Sequence, residues 1–382
     1  MTKVKRARKW AINDFILVFL TMSLVIFGVV MVFSASYYNA ISEKGNPYYF
    51  LIRDAIWAGA GTVLMFVMTR INYRILCSKK VAVFMLAVGF LGLLAVFTPL
   101  GVTLNSATRW ISVGGITVMP GEIAKIVVII FMSWYLGSKP DRIFSFGEGI
   151  VVPLVLCAVF GGLIMKQPNM STAITVCAIV IGIMFFAGLR WRYILGVLSL
   201  GAFAALVLIF MDEDGYRFRR FTSFLNPFDD PLNTGYQVVQ SLLALGSGGF
   251  FGLGLGKGIQ KTLYLPEPQN DFILAIIGEE LGYFGILILM AVYLILIWRG
   301  MHIALNAPDH QGMLMAAGIT TMIAVQVVLN IAVVTSSMPP TGVTLPFISY
   351  GGNALLLFMG SMGILLNISR QSRKKEPGSE QK

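Results

Sequence analysis

Asp271 closes the string LYLPEPQND (263–271) and stands directly before the apolar run FILAIIGEELGYFGILILMAVYLILIW (272–298). A carboxylate is thus set where a polar loop meets a membrane helix. An acid at that depth is costly and marks a functional site by default. Its chemistry depends on its surroundings: burial would raise its pKa, and the dipole of the helix that follows would lower it. A structural role competes with the functional one. Asn270 is a good N-cap residue, and Pro266 and Pro268 fit an irregular segment leading into a helix, so Asp271 could simply stabilise a first turn. Glu267 lies farther out in the loop. Glu279 and Glu280 lie about two to three turns deeper, where they can pair with inward-facing polar groups.

Cations gather on the same side. Arg53, Arg109, Lys125, Arg217, Arg219, Arg220, Lys257 and Lys261 fall in what read as outer loops or outer helix ends. Arg109 and Lys125 need anionic partners so near the membrane. Glu122 precedes Lys125 by one helical turn and shares its face. Two readings stay open: a satisfied structural ion pair, or a cationic pocket for an anionic group such as a phosphate. Arginine suits phosphate because its planar fork donates bidentately. Arg217, Arg219 and Arg220 could equally anchor their loop to anionic headgroups. The stretch GSGGFFGLGLGKG (246–258) is neither a P-loop nor a Rossmann turn. It reads as a flexible or close-packed loop beside the site, able to order over a substrate. MPPTGVTLPFISYGGN (338–353) is either a tight loop or a broken helix lining a cavity, with Asn330 as one partner for its backbone.

The elements that must position these residues are membrane helices. Hydrophobic residues make up 57% of the 382 residues and charged ones 12%, with mean hydropathy +0.79. The apolar runs are continuous and near twenty residues, which fits helices across ~30 Å of hydrocarbon rather than alternating barrel strands. Ten spans are expected, at about 14–35, 50–69, 79–98, 118–137, 148–165, 170–188, 192–211, 271–298, 312–334 and 342–367. The first is too long for a signal-peptide core and reads as an uncleaved helix. Basic termini, MTKVKRARK and RQSRKK, put both ends in the cytoplasm, and the short loops obey the positive-inside rule. The long extracellular loop between spans seven and eight, about 212–270, escapes it, as long loops do. The fold class is therefore all-α integral membrane, one polytopic domain over 1–370 with a disordered cytoplasmic tail over 371–382. Cys77, Cys157 and Cys177 give no disulfide framework, and His302 and His310 share one loop, so no histidine cage or catalytic triad is expected.

These motifs, in their order, resemble the SEDS family (shape, elongation, division and sporulation), the FtsW, SpoVE and RodA proteins of bacteria. MVFSAS (31–36), SATRWISVGG (106–115), MPGEIAK (119–125), FTSFLNPFDDP (221–231), YLPEPQNDFILAIIGEELG (264–282) and TGVTLPFISYGGN carry the likeness across essentially the whole chain. The PEPQ form and the ending NISRQSR look more like FtsW and SpoVE than RodA. Three departures stand out: QPNMST where the family commonly has QPDLGT, which puts Asn169 in place of an acid; GGN for GGS at Asn353; and MPGE for QPSE. The first counts against a metal-binding or second-acid role at that position.

The resemblance implies an inverting peptidoglycan glycosyltransferase on the outer face of the cytoplasmic membrane. It would polymerise lipid II, a disaccharide-pentapeptide on undecaprenyl pyrophosphate, and release undecaprenyl diphosphate. The family's essential aspartate matches Asp271, which would act as catalytic base. Its other site positions match Arg53, Arg109, Glu122 and Lys125. With the outer cations Arg220 and Lys261, these form the expected substrate-binding set. No ligand cluster demands a metal, although a divalent cation, Mg²⁺ or Mn²⁺, could stabilise the same leaving-group charge. The implied partners are a cognate class B penicillin-binding protein and division or sporulation proteins, with no nucleic acid. The alternatives from other classes are a lipid II flippase or transporter, and a scaffold that recruits a transpeptidase.

Overall fold

The computed structural model describes residues 14–104, 107–113, 116–197, 199, 201, 224–233 and 235–372. Its helices are α1 (Phe15–Lys44), α2 (Tyr49–Arg70), the short α3 (Tyr73–Leu76), α4 (Lys79–Ala95), α5 (Pro120–Gly137), α6 (Val152–Lys166), α7 (Met170–Phe186), α8 (Tyr236–Ser247), α9 (Ile273–Leu305), α10 (His310–Val334) and α11 (Gly352–Ser372). Among the described residues, seven helical stretches are long and apolar enough to cross a membrane: α1, α2, α5, residues 146–166 containing α6, α9, α10 and α11. The shorter apolar helices α4 and α7 pack against α5 in the same bundle. The expected span 192–211 falls mostly outside the described residues, and so do the tail and Arg217, Arg219 and Arg220.

Among the described residues one element is a sheet. Gly101–Leu104, Ala107–Val113 and Ile116–Val118 form a three-stranded antiparallel sheet, β1-β2-β3, between α4 and α5. Ile111 stands opposite Gly101 on one side and Val118 on the other. The segment is rich in β-branched and aromatic residues, which suit a pleated, half-buried surface. The spans are helical as expected, and what needs correction is the connection between α4 and α5, which reads as loop by length and is a small sheet carrying Arg109.

The last span also begins later than expected. Residues 342–351 are irregular, and α11 starts only at Gly352. Irregular backbone inside a bundle must find partners within the protein. Here Asn330 donates to Val343 O at 2.7 Å, Tyr293 donates to Pro346 O at 2.5 Å, and Tyr350 N donates to Gln269 O at 2.9 Å.

α9 is broken at Gly282, where φ is 70° and ψ is −173°. The glycine-rich loop fills the break. Leu253 N and Gly254 N donate to the carbonyls of Glu279 and Glu280, each at 2.9 Å, and Tyr283 N and Phe284 N donate to Gly249 and Phe250, each at 3.0 Å. A Cβ on Gly282 would lie 2.3 Å from Gly252 N, so no side chain fits. Residues 273–281 are thus a separate two-turn piece, carried on the loop and continuous with Asp271.

At the far end of the bundle, Asp14 caps α1 by accepting from Leu17 N at 3.2 Å, and it pairs with Arg299 of α9 at 2.8 Å. Ser369 of α11 donates to the same carboxylate at 3.3 Å. A buried ion pair therefore fastens three helices at the end that holds the chain's first described residue.

Candidate active site

A cavity of about 820 Å³ opens at the other end of the bundle. The start of α2 gives it Arg53, Ile56 and Trp57; the sheet gives Arg109 and Trp110; the start of α5 gives Glu122. Ser171, Thr172 and Thr175 come from the start of α7, and Gln326 from the end of α10. The loop residues Glu267, Asn270 and Asp271 face it together with the irregular segment 340–351. Every helical residue in its wall lies in the half of its helix nearest Asp271, so the cavity belongs to one end of the molecule.

Asp271 is half-buried in this wall, two residues before α9 begins. Asn270 is not the helix cap: its amide donates to Glu267 at 2.5 Å, and Phe272 holds the cap position without a side-chain bond. Asp271 is held instead through its main chain, whose carbonyl accepts from Asn330 Nδ2 at 2.8 Å. Its side chain is left facing the cavity. Burial raises its pKa; the neighbouring Glu267 charge adds to the rise and Arg109 opposes it, leaving a value of about 6.

Arg109 lies on β2, and its Nε donates to Gln167 O at 3.3 Å while Nη2 donates to Pro168 O. Two carbonyls thus fix the guanidinium at the cavity edge. A Cβ on Gly342 would stand 3.2 Å from Asp271 Oδ2 and 4.0 Å from Arg109 Nη1, so the acid and the cation converge on this one glycine. Its φ of +77° also favours glycine. Arg53 lies over the Tyr49 ring, 4.8 Å from its centroid, and reaches the same cavity.

The other expected binding residues are distributed differently. Glu122 lines the cavity, but Lys125 does not. Lys125 is enclosed behind Glu122, 2.7 Å from its carboxylate and 3.1 Å from Gln326 Oε1, with Nζ 5.6 Å from the centroid of the Phe358 ring. Geometry supports the ion-pair reading for it rather than direct contact with an anion. Lys261 is also removed from the cavity. It is bound 2.6 Å from Glu280 and 2.8 Å from Ser34 Oγ, and both members of the ion pair are at most 2% exposed. Glu279 accepts from Ile259 N at 2.7 Å and Gln260 N at 3.1 Å. These two deeper acids hold the loop onto the broken helix. Arg220 lies outside the described residues.

Two of the three departures from the family pattern, Asn169 and Asn353, have structural explanations. Asn169 caps α7 by accepting from Thr172 N at 3.3 Å, a task an aspartate does equally well. Asn353 donates to Thr117 O at 3.0 Å and ties the sheet to the first turn of α11. Sequence reasoning passed over the polar stretch Ser171–Thr175 and Gln326. The signal for the first was a cluster of hydroxyls at the start of an apolar run; Gln326 is a lone amide inside one.

Among the described residues no three histidine, cysteine or acidic side chains cluster as a metal site would require. Of the acids in the cavity wall, Glu122 is taken by Lys125 and Asn270 donates to Glu267. A divalent cation in this cavity would have Asp271 and Glu267 as its acidic neighbours.

Residues 15–374 match the family described as Cell cycle protein, FtsW/RodA/SpoVE. The chain belongs to this family. It is 41% identical over 362 residues to "Stage V sporulation protein E" of Bacillus subtilis, covering 94% of this chain and 98% of the relative. It is 41% identical over 361 residues to the "Probable peptidoglycan glycosyltransferase FtsW" of Geobacter metallireducens, covering 94% and 95%. Its fold also matches a chain of a solved peptidoglycan synthase complex that coordinates polymerization and crosslinking, with a TM-score of 0.75 and 27% identity over 93% of this chain and 97% of that one. The family resemblance read from the motifs is therefore correct.

Proposed function

We propose that the chain is a peptidoglycan glycosyltransferase that polymerises lipid II at the outer face of the bacterial cytoplasmic membrane. The convergence of Asp271 and Arg109 on Gly342 inside one cavity carries this reading, and the names of the relatives support it. The acceptor's sugar hydroxyl gives its proton to Asp271 as its oxygen attacks the donor's anomeric carbon. The bond from that carbon to the diphosphate oxygen breaks, the configuration inverts, and undecaprenyl diphosphate leaves. A positioned base contributes about 10²–10⁴-fold to such a step. Arg53 and Arg109 would stabilise the charge that develops on the diphosphate. Arg109 is fixed in advance by Gln167 and Pro168, so little reorganisation is required.

A carrier fits less well. It would hold its substrate near the middle of the membrane and open to both sides in turn. Here the cavity lies at one end, and the opposite end is fastened by Asp14, Arg299 and Ser369. The match to a synthase complex supports a class B penicillin-binding protein as partner.

The test uses purified protein and lipid II in detergent, where transport has no meaning, with and without the cognate class B penicillin-binding protein. Glycan strands and released undecaprenyl diphosphate are expected. Lipid II recovered intact in both mixtures would contradict the proposal.

A further inference from the structure

The cavity has an inner wall that the chemistry above leaves unused. Glu122 of α5, Ser171, Thr172 and Thr175 of α7, and Gln326 of α10 form it, and all five are at most 8% exposed. Buried polar groups are costly unless bonded. Some of these are satisfied. Ser171 donates to Thr341 O, Thr175 donates to Ser171 O at 2.8 Å, and Gln326 Oε1 accepts from Lys125 at 3.1 Å.

What remains is a matched set. The side-chain amide N–H groups of Gln326 and the hydroxyl of Thr172 have no partner among the described residues. The Thr341 hydroxyl, next to Gly342 and 8% exposed as a residue, is enclosed and also without a partner. Glu122 offers carboxylate oxygen, its charge balanced by Lys125 at 2.7 Å. Four separate segments, not one helix start, bring these groups to a single wall.

The set carries no net positive charge, which makes it a poor seat for a diphosphate. Amide donors, hydroxyls and one acceptor are what ring hydroxyls and an acetamido group require. We propose that this wall binds the uncharged part of an N-acetylated amino sugar, while Arg53 and Arg109 hold the diphosphate. The proposal rests on the lipid II reading and deepens it. It divides the cavity into a sugar side, with Thr172, Thr341 and Gln326, and a phosphate side.

The test compares two probes binding to the full-length protein in detergent: lipid II, and undecaprenyl diphosphate, which has no sugar. Thr172→Val keeps the side-chain shape and removes the hydroxyl, and Gln326→Met removes the amide. Each is expected to weaken lipid II binding by about 2- to 10-fold, the worth of one neutral hydrogen bond, and to leave undecaprenyl diphosphate binding unchanged. Arg109→Gln is expected to weaken both. If Thr172→Val lowers affinity for both probes alike, or for neither, the sugar wall is wrong. Failure of the polymerase reading would show separately, as wild-type protein that binds lipid II and makes no glycan.

Discussion

The side-chain nitrogen of Asn330 donates to the backbone carbonyl of Asp271 at 2.8 Å, and the same nitrogen donates to Val343 O at 2.7 Å. One amide thus joins the loop that carries the acid to the irregular segment that carries Gly342. Neither carbonyl belongs to a helix, so each depends on this donor within the bundle.

Asn330→Leu should therefore lower stability and turnover together. It leaves two carbonyls without their donor, at about 1–3 kcal/mol each. The thermal unfolding midpoint in detergent should fall clearly. An unchanged midpoint would show that Asn330 does not anchor Asp271.

The pKa of about 6 at Asp271 gives a pH dependence with a definite sign. A base works only when deprotonated, so kcat/KM should fall as pH drops through about 6 and level off above it. Arg109 opposes the rise and Glu267 adds to it. Glu267→Gln should move the acidic limb to lower pH, and Arg109→Gln should move it to higher pH while reducing the rate. Limbs that do not move in either variant would assign the titration to another group.

Much of this site was legible in the sequence, for local reasons. Asp271 drew notice because a carboxylate at the head of an apolar run is expensive, and Asn330 because a buried amide beside a Pro- and Gly-rich segment has a task to do. What was not legible depends on packing. Lys125 and Lys261 looked like outer cations by position, yet each is enclosed by its own acid, Glu122 and Glu280, and only the helix neighbours decide that. The sheet bearing Arg109 was hidden because its strands are short, between 3 and 7 residues. The break at Gly282 was hidden because apolar residues continue on both sides of it, so hydropathy records one span.

Lys261 and Glu280 are predicted to matter as a pair. Removing one partner leaves a buried charge and costs about 3–5 kcal/mol, whereas replacing both by apolar groups is often close to neutral. Lys261→Met should lower the unfolding midpoint more than Lys261→Met combined with Glu280→Leu. If the double variant is the less stable one, the pair contributes more than charge balance.

Gly342→Ala is expected to impair catalysis more than folding. Its φ of +77° would cost alanine about 1–2 kcal/mol, and the new methyl would press on Asp271 Oδ2 at 3.2 Å. The rate should drop at least tenfold while the protein still purifies as a folded species. Wild-type turnover in this variant would mean that the approach of Asp271 to Arg109 across Gly342 is not used.

The most direct measurement compares Asp271→Asn with the wild type for glycan synthesis and lipid II binding in the same detergent preparation, with the cognate class B penicillin-binding protein present. The account predicts a loss of about 10²–10⁴-fold in polymerisation with lipid II binding retained, since the substitution removes the proton acceptor and keeps the side-chain shape. Glycan synthesis at the wild-type rate by Asp271→Asn would contradict it.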